Sequence, residues 1–360
     1  MKLGAFTIDD AIRLPANADL GIGIVGCGGI VNYAHLPAYR AAGLNVRACY
    51  DHDLEAARRT ADDHQIPTVT PTLEAMLTDP EIAIVDIAVT PWAQGAIALQ
   101  AIAAGKHLLC QKPLCDTYAM AATVVEAARA VGVKMAVNQQ MRWSAGIRVS
   151  RQLIDEGALG VLADARIDVD VRTPWHLWPW IAASERLEIM YHSIHYQDSV
   201  RYLLGDPARV LSHHRRFPGQ TEVGETRTTT LFDYGVELAA LIDVGHHNWS
   251  DDVVARFRLT GDRGIIDGTI GLLADYPIGR VDTVRFASHD APAIWHEAAL
   301  TTRWIPDAFL GPMASLMAAI AEGSEPLTSG ADNLGTLRTV FASYRSAAEG
   351  RFVAPAEITS

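Results

Sequence analysis

The chain has 360 residues, 49% of them hydrophobic, which allows a substantial core and, at roughly 100 to 200 residues per domain, about two domains. A formal net charge of −12 lacks the broad positive field that a phosphate backbone requires, so nucleic acid is excluded as the expected partner. The opening MKLGAFTIDDAIRLPANADL carries Asp9 and Asp10 and no long apolar run, so it reads as neither a secretory signal nor a membrane anchor and points to the cytoplasm.

From Ile22 to Val137, short apolar runs alternate with amphipathic stretches. IGIV, NVRACY, AIVDIAV, HLLC and KMAV are expected strands; LEAARRTADDH and QGAIALQAIAAG are expected helices. Apolar strands with helices between them imply a parallel sheet covered on both faces, so an α/β Rossmann domain, a doubly wound parallel sheet, is expected over 19–142. After Arg142 the pattern changes. A helix is expected over Gly146 to Glu156, followed by strands of period two in ADARIDVDV, TRTTTLFDYG, VELAALIDVG and VVARFRLTG. These predict an α+β C-terminal domain over 143–360 with a largely antiparallel open sheet. Two helices, AFLGPMASLMAAIAEG and GTLRTVFASYRSAAEG, each stop at glycine. Cys27, Cys49, Cys110 and Cys115 lack the spacing of a zinc or redox motif and are expected as buried thiols.

The stretch LGIGIVGCGGIV can be read as G-x-G-x-x-G from Gly21 or from Gly26. A functional loop follows a strand and opens a helix, because the amide groups at the helix start hold the pyrophosphate. Only the second register does so, coming directly after IGIV, although Val31 then occupies the place of the third glycine. That place packs helix on strand and does not touch phosphate. The loop Gly26, Cys27, Gly28, Gly29 and Ile30 is therefore expected to bind a dinucleotide, with a slightly wide contact at Val31. Asp51, at the end of VRACYD, lies at the spacing where a carboxylate meets ribose hydroxyls and repels a 2′-phosphate, favouring NAD over NADP.

With this loop stand VTP (Val89 to Pro91), GKHLLCQKPL, NQQMRW (Asn138 to Trp143), the helix MYHSIHYQDSVRYLLGD and the closing YRSAAEG. In this order they resemble the glucose–fructose oxidoreductase/inositol dehydrogenase (Gfo/Idh/MocA) family. That family carries E-K-P after a strand, with a catalytic lysine before a cis proline, and D-x-x-x-H on a helix. The resemblance implies catalysis by Lys112, with Gln111 in place of the glutamate, and by His195, with Tyr191 in place of the aspartate. It also implies cofactor contacts from Thr90, Pro91, Gln111, Lys112 and Gln140. Residues 191 and 195 share one helical face, with His192 beside them. An imidazole titrating near neutrality suits His195 as the base for the hydroxyl proton, with Lys112 orienting or relaying.

Substrate contacts are expected from Lys112, Arg142, Trp175, His176, His192 and His195, since indole faces suit the C–H faces of sugar rings and imidazoles suit hydroxyls. Two neighbouring histidines without an accompanying carboxylate or cysteine give no metal site. The expected activity is NAD-dependent oxidation of a hydroxyl on a small sugar or cyclic polyol, preferably an aldose, a pentose included, at C1 to the lactone. An inositol-type secondary alcohol dehydrogenase, an NAD-dependent glycosidase and a non-catalytic cofactor-sensing regulator remain as alternatives. The resemblance further implies a homodimer or homotetramer.

Overall fold

The computed structural model describes residues 1–360 apart from 17, 275, 277 and 278. It forms two compact units. One comprises Met1–Ala11, Met141–Trp304 and Gly335–Thr359; the other comprises Ile12–Gln140, Ile305–Leu334 and the terminal Ser360. Strands β1 (Lys2–Leu3) and β2 (Phe6–Thr7) form a small antiparallel hairpin in the former. Its Phe6 ring meets Phe286 edge-on at 5.5 Å, and the Asp9 amide donates to Gln152 Oε1.

The second unit is built on six parallel strands: β3 (Ile22–Val25), β4 (Val46–Tyr50), β5 (Thr68–Val69), β6 (Ile84–Ile87), β7 (His107–Cys110) and β8 (Met135–Val137). Their order across the sheet is β5-β4-β3-β6-β7-β8. All residues of β3, β6 and β8 are buried, as expected of strands covered on both faces. The helices between the strands start and stop where local chemistry directs. Asp53 accepts from the amides of Glu55 and Ala56 to cap Leu54–His64, and Thr117 accepts from the Met120 amide to cap Tyr118–Val131. Gly132, at φ +80°, closes the latter helix. The chain leaves β3 toward β4 on one side and returns to β6 on the other, so the topological switch point lies between β3 and β6, where doubly wound sheets bind ligands. The helix Leu310–Glu322, far along the chain, packs on β7 and β8 of this sheet.

The other unit holds an eight-stranded sheet of β9 (Leu162–Asp170), β10 (Arg209–Arg215), β11 (Arg227–Asp233), β12 (Ala239–Gly245), β13 (Val254–Gly261), β14 (Gly264–Thr269), β15 (Thr283–Ser288) and β16 (His296–Glu297). Its order is β10-β11-β12-β9-β13-β14-β15-β16, antiparallel throughout except for the β12–β9 pair. Ala165, Ile167 and Val169 of β9 are buried, while the alternate residues between them carry Asp164, Arg166, Asp168 and Asp170 outward. The helices Ala145–Asp155 and Ile194–Leu204 pack against the sheet, the former on β14 and β15 and the latter on β12. No helix among the described residues is long and apolar enough to cross a membrane.

Candidate functional site

In the parallel-sheet unit, the residues singled out by the sequence gather at the carboxyl ends of the strands. Gly26 follows β3 at φ +98°, and a Cβ there would lie 2.4 Å from the Ala88 carbonyl oxygen, so the turn admits only glycine. Gly21 and Gly23 are packing glycines, since a Cβ would fall 1.9 Å from the Glu81 carbonyl oxygen or 2.8 Å from Met76 Sδ. Gly28 is different: it is exposed, and a Cβ there would meet nothing within 4 Å. The chain itself has no need for glycine at 28, and the bare backbone at the start of a helix fits the pyrophosphate of a dinucleotide. Gly29 is exposed and Ile30 half-buried beside it.

Asp51, after β4, accepts from the Cys27 amide at 2.8 Å through one carboxylate oxygen and from the Asp53 amide at 2.9 Å through the other. The Cys27 amide is thus committed to Asp51, and the contribution of Cys27 to the loop is to tie it to the acid that follows β4. The Asn32 side chain donates to the carbonyls of Cys27 and Gly28, which fixes the loop from the other side. Val31 is fully buried and opens a π-helical turn, Val31–His35, closed by the Leu36 amide on the Val31 carbonyl. Thr90 is the half-buried cap residue ahead of Pro91, which starts the helix Pro91–Ala103 after β6.

After β7 the chain makes the turn Gln111, Lys112, Pro113, with a cis bond between Lys112 and Pro113. Buried Gln94 clamps this turn by donating to the carbonyls of Gln111 (2.6 Å), Leu114 (2.9 Å) and Pro113 (3.2 Å). The Gln111 side-chain oxygen accepts the Lys112 amide at 2.7 Å. The Lys112 side chain keeps some contact with solvent, yet the mass of protein around it strips enough water to push its ammonium down to about 7. An amine that titrates there can both give and take a proton at neutral pH. Gln140 is buried at the end of this unit, with its side-chain oxygen lacking a protein donor.

The other unit holds the remaining candidates. A π-helical turn, Ile189–Ser193, runs into the helix Ile194–Leu204 and carries Tyr191 and His192, with His195 one turn on. His195 is buried, with Trp304 edge-on to its ring at 5.2 Å; Tyr191 is buried against Trp180 at 5.2 Å. His192 is half-buried and its ring meets Trp175 at 5.1 Å and His246 at 4.7 Å. His246 was given no role by the sequence because it sits at a strand end among polar residues; it is buried, and its Nδ1 lies 2.6 Å from Thr173 Oγ1. Behind it lies the fully buried Glu188, whose carboxylate accepts from Ser193 and Thr228. Trp175, His192 and His246 therefore form one cluster, while His176 lies exposed on the turn Trp175–Leu177.

Arg142 departs from the expectation of a substrate contact. It lies in the turn Gln140–Trp143 beyond β8, and its guanidinium grips Asp198 with two bonds, 2.7 Å from Nε and 2.6 Å from Nη2. Both side chains are almost wholly buried, and Thr336 adds a third bond to the same carboxylate. A guanidinium held on its counter-charge in this way anchors the turn to the helix Ile194–Leu204. No three His, Cys, Asp or Glu side chains converge as a metal ion would need among the described residues.

Residues 20–139 match the model of the oxidoreductase family with an NAD-binding Rossmann fold, and residues 147–267 match the GFO/IDH/MocA C-terminal domain. Over 337 residues the chain is 30% identical to D-apiose dehydrogenase of Paraburkholderia graminis, covering 92% of this chain and 88% of that protein. It is 29% identical over 342 residues to 1,5-anhydro-D-fructose reductase of Ensifer adhaerens, covering 91% and 96%. In fold it is similar to an oxidoreductase from Agrobacterium radiobacter solved with NAD+, L-tartaric acid and magnesium, with a TM-score of 0.84, 23% identity and coverage of 95% and 100%. The parallel-sheet unit is an NAD-binding Rossmann domain, and the chain belongs to the Gfo/Idh/MocA family of oxidoreductases.

Proposed function

We propose that the protein is an NAD-dependent dehydrogenase that oxidises a hydroxyl of a small sugar, preferably an aldose such as a pentose at C1, to the lactone. The observation that carries this reading is Lys112, an amine lowered to about 7 by burial, on the same carboxyl-end edge of the sheet as the glycine loop and Asp51. The names of the relatives, a D-apiose dehydrogenase and a 1,5-anhydro-D-fructose reductase, support a sugar as the substrate class.

Gly26, Gly28, Gly29 and Ile30 shape the pyrophosphate cradle, and Asp51 meets the ribose hydroxyls while repelling a 2′-phosphate. Thr90, Pro91, Gln111 and Gln140 complete the cofactor contacts. When bound, NAD supplies the hydride acceptor, C4 of its nicotinamide. Lys112 hydrogen-bonds the reacting hydroxyl, and His195 takes the hydroxyl proton as the carbon gives up its hydride, so that the C–O bond becomes a carbonyl. Tyr191 hydrogen-bonds the substrate, while Trp175, His176 and His192 take the faces and hydroxyls of the sugar ring. The same reading makes the protein a homodimer or homotetramer, for which a monomer in sedimentation equilibrium would be the contrary result.

Incubation of the purified protein with NAD and a panel of free aldoses, inositols and aldonates, followed by NADH absorbance, tests the proposal. Wild type reduces NAD with at least one aldose and faster than it reduces NADP; Lys112→Ala loses on the order of a hundredfold or more, as expected when a proton-handling group is removed. Normal turnover by Lys112→Ala, or faster turnover with NADP, contradicts it.

A further inference from the structure

His35 is fully buried in the parallel-sheet unit and has no part in the mechanism above, yet it stands at the centre of a chain of hydrogen bonds that ends on Lys112. Its Nδ1 lies 2.7 Å from Asp86 Oδ2, and the same oxygen accepts from the Tyr39 hydroxyl at 2.7 Å. Its Nε2 faces two side-chain amides, Asn138 Nδ2 at 3.1 Å and Gln111 Nε2 at 3.4 Å. Phe309 packs edge-on to the ring at 5.1 Å. Asp86, Tyr39, Gln111, Asn138 and Phe309 thus surround the imidazole, and burial together with Asp86 keeps the Tyr39 phenol protonated and donating.

The direction of the Gln111 amide follows from one fixed point. The Lys112 amide must donate, and it does so to Gln111 Oε1 at 2.7 Å. With its oxygen committed there, Gln111 must turn its NH2 group toward His35. Two NH2 donors on Nε2 require a lone pair on that nitrogen, so the single ring proton sits on Nδ1 and is donated to Asp86. Turning the Gln111 amide over would set NH2 against the Lys112 amide and oxygen against a lone pair, failing at both ends. A glutamate at 111 would likewise leave an oxygen facing the lone pair unless His35 took a second proton.

We propose that Asp86 and His35 form a buried tautomer lock that positions the Gln111–Lys112–Pro113 turn, and that glutamine stands at 111 because the lock offers it an accepting nitrogen. His35 and Asp86 are positioning residues, and the inference rests on the reading of Lys112 as the catalytic amine. Asp86→Asn releases the lock, because an amide can present N–H to Nδ1 where a carboxylate cannot.

Histidine labelled with 15N in the 360-residue chain reports the proton on each ring nitrogen. His35 is identified as the resonance lost in His35→Gln or, should that variant not fold, as the one moved by Asp86→Asn. Wild type carries the proton on Nδ1 alone, and Gln111→Glu carries protons on both nitrogens. In activity, Asp86→Asn loses at least about tenfold in kcat with KM for NAD within about twofold, the size expected when a supporting hydrogen bond to a reacting group is lost.

A proton on Nε2 in wild type, or a neutral His35 in Gln111→Glu, overturns the lock. The expected spectra with undiminished kcat in Asp86→Asn overturn its positioning role. Normal turnover by Lys112→Ala sinks the catalytic reading instead and leaves the spectra to decide the lock by themselves.

Discussion

Lys112 behaves least like its residue type. An exposed lysine is protonated far above neutrality, but here burial lowers the ammonium to about 7, so between that pH and the ordinary lysine range near 10.5 the unfolded chain binds more protons than the folded one. Stability attributable to this residue therefore rises with pH across that window. Below about pH 7 the folded protein bears the full cost of a poorly hydrated ammonium, and above about pH 10.5 the cost is gone. Lys112→Met is accordingly more stable than wild type in urea at pH 6, with the difference shrinking as the pH is raised toward 10. An equal difference at both ends of the range would show that Lys112 is not desolvated. The grip of Asp198 on Arg142 belongs to this same scale, because nothing in NQQMRW tells that an aspartate 56 residues later will hold its guanidinium. Local spacing locates a residue near a strand end; only the tertiary partner decides whether its charge faces a substrate or is consumed inside the protein.

At the scale of elements, the glycine loop separates two demands on one residue type. Gly26 is required by the chain's own geometry, with φ +98° and a carbonyl oxygen where a Cβ would go, whereas Gly28 is not required by any protein atom. Gly28→Ala should therefore keep the melting temperature of wild type within a degree or two while weakening NAD binding by about tenfold or more, and Gly26→Ala should lower the melting temperature itself. Calorimetry and NAD titration of the two variants check this, and a Gly28→Ala protein that binds NAD normally would remove the cradle from position 28.

The strands with strong apolar or alternating patterns were legible: IGIV, VRACY, IVDI, HLLC and MAV became β3, β4, β6, β7 and β8, and β9, β11, β12 and β13 fell in their expected places. Three of those missed had physical reasons to be quiet. β5 is two residues long, and β10 carries RVLSHHR, in which a buried serine and two histidines break the apolar alternation. β14 is interrupted by Gly268, where a Cβ would lie 2.3 Å from the Phe257 ring, and its composition reads as a turn. His246 escaped notice for a related reason, since the end of β12 in GHHNW shows no period that would separate an inward histidine from an outward one.

For the whole molecule, the sequence showed a change of character near Arg142 but not that the chain crosses between units more than once. The helix Leu310–Glu322 reads as an ordinary apolar helix, and no feature of its own sequence directs it to β7 and β8. The order of motifs along the chain was more informative than any one of them, because loop, acid, lysine turn and histidine helix each came where the family resemblance requires.

The central claim, that hydride leaves C1 of an aldose for NAD, is tested most directly with a reactive aldose carrying deuterium at C1. Lactone and NADH then form in equal amounts, with deuterium at C4 of the nicotinamide, a slower rate than with the unlabelled sugar when the chemical step limits turnover, and loss of the transfer in Lys112→Ala. Deuterium retained in the sugar, or consumption of a glycoside with no net NADH, would contradict it.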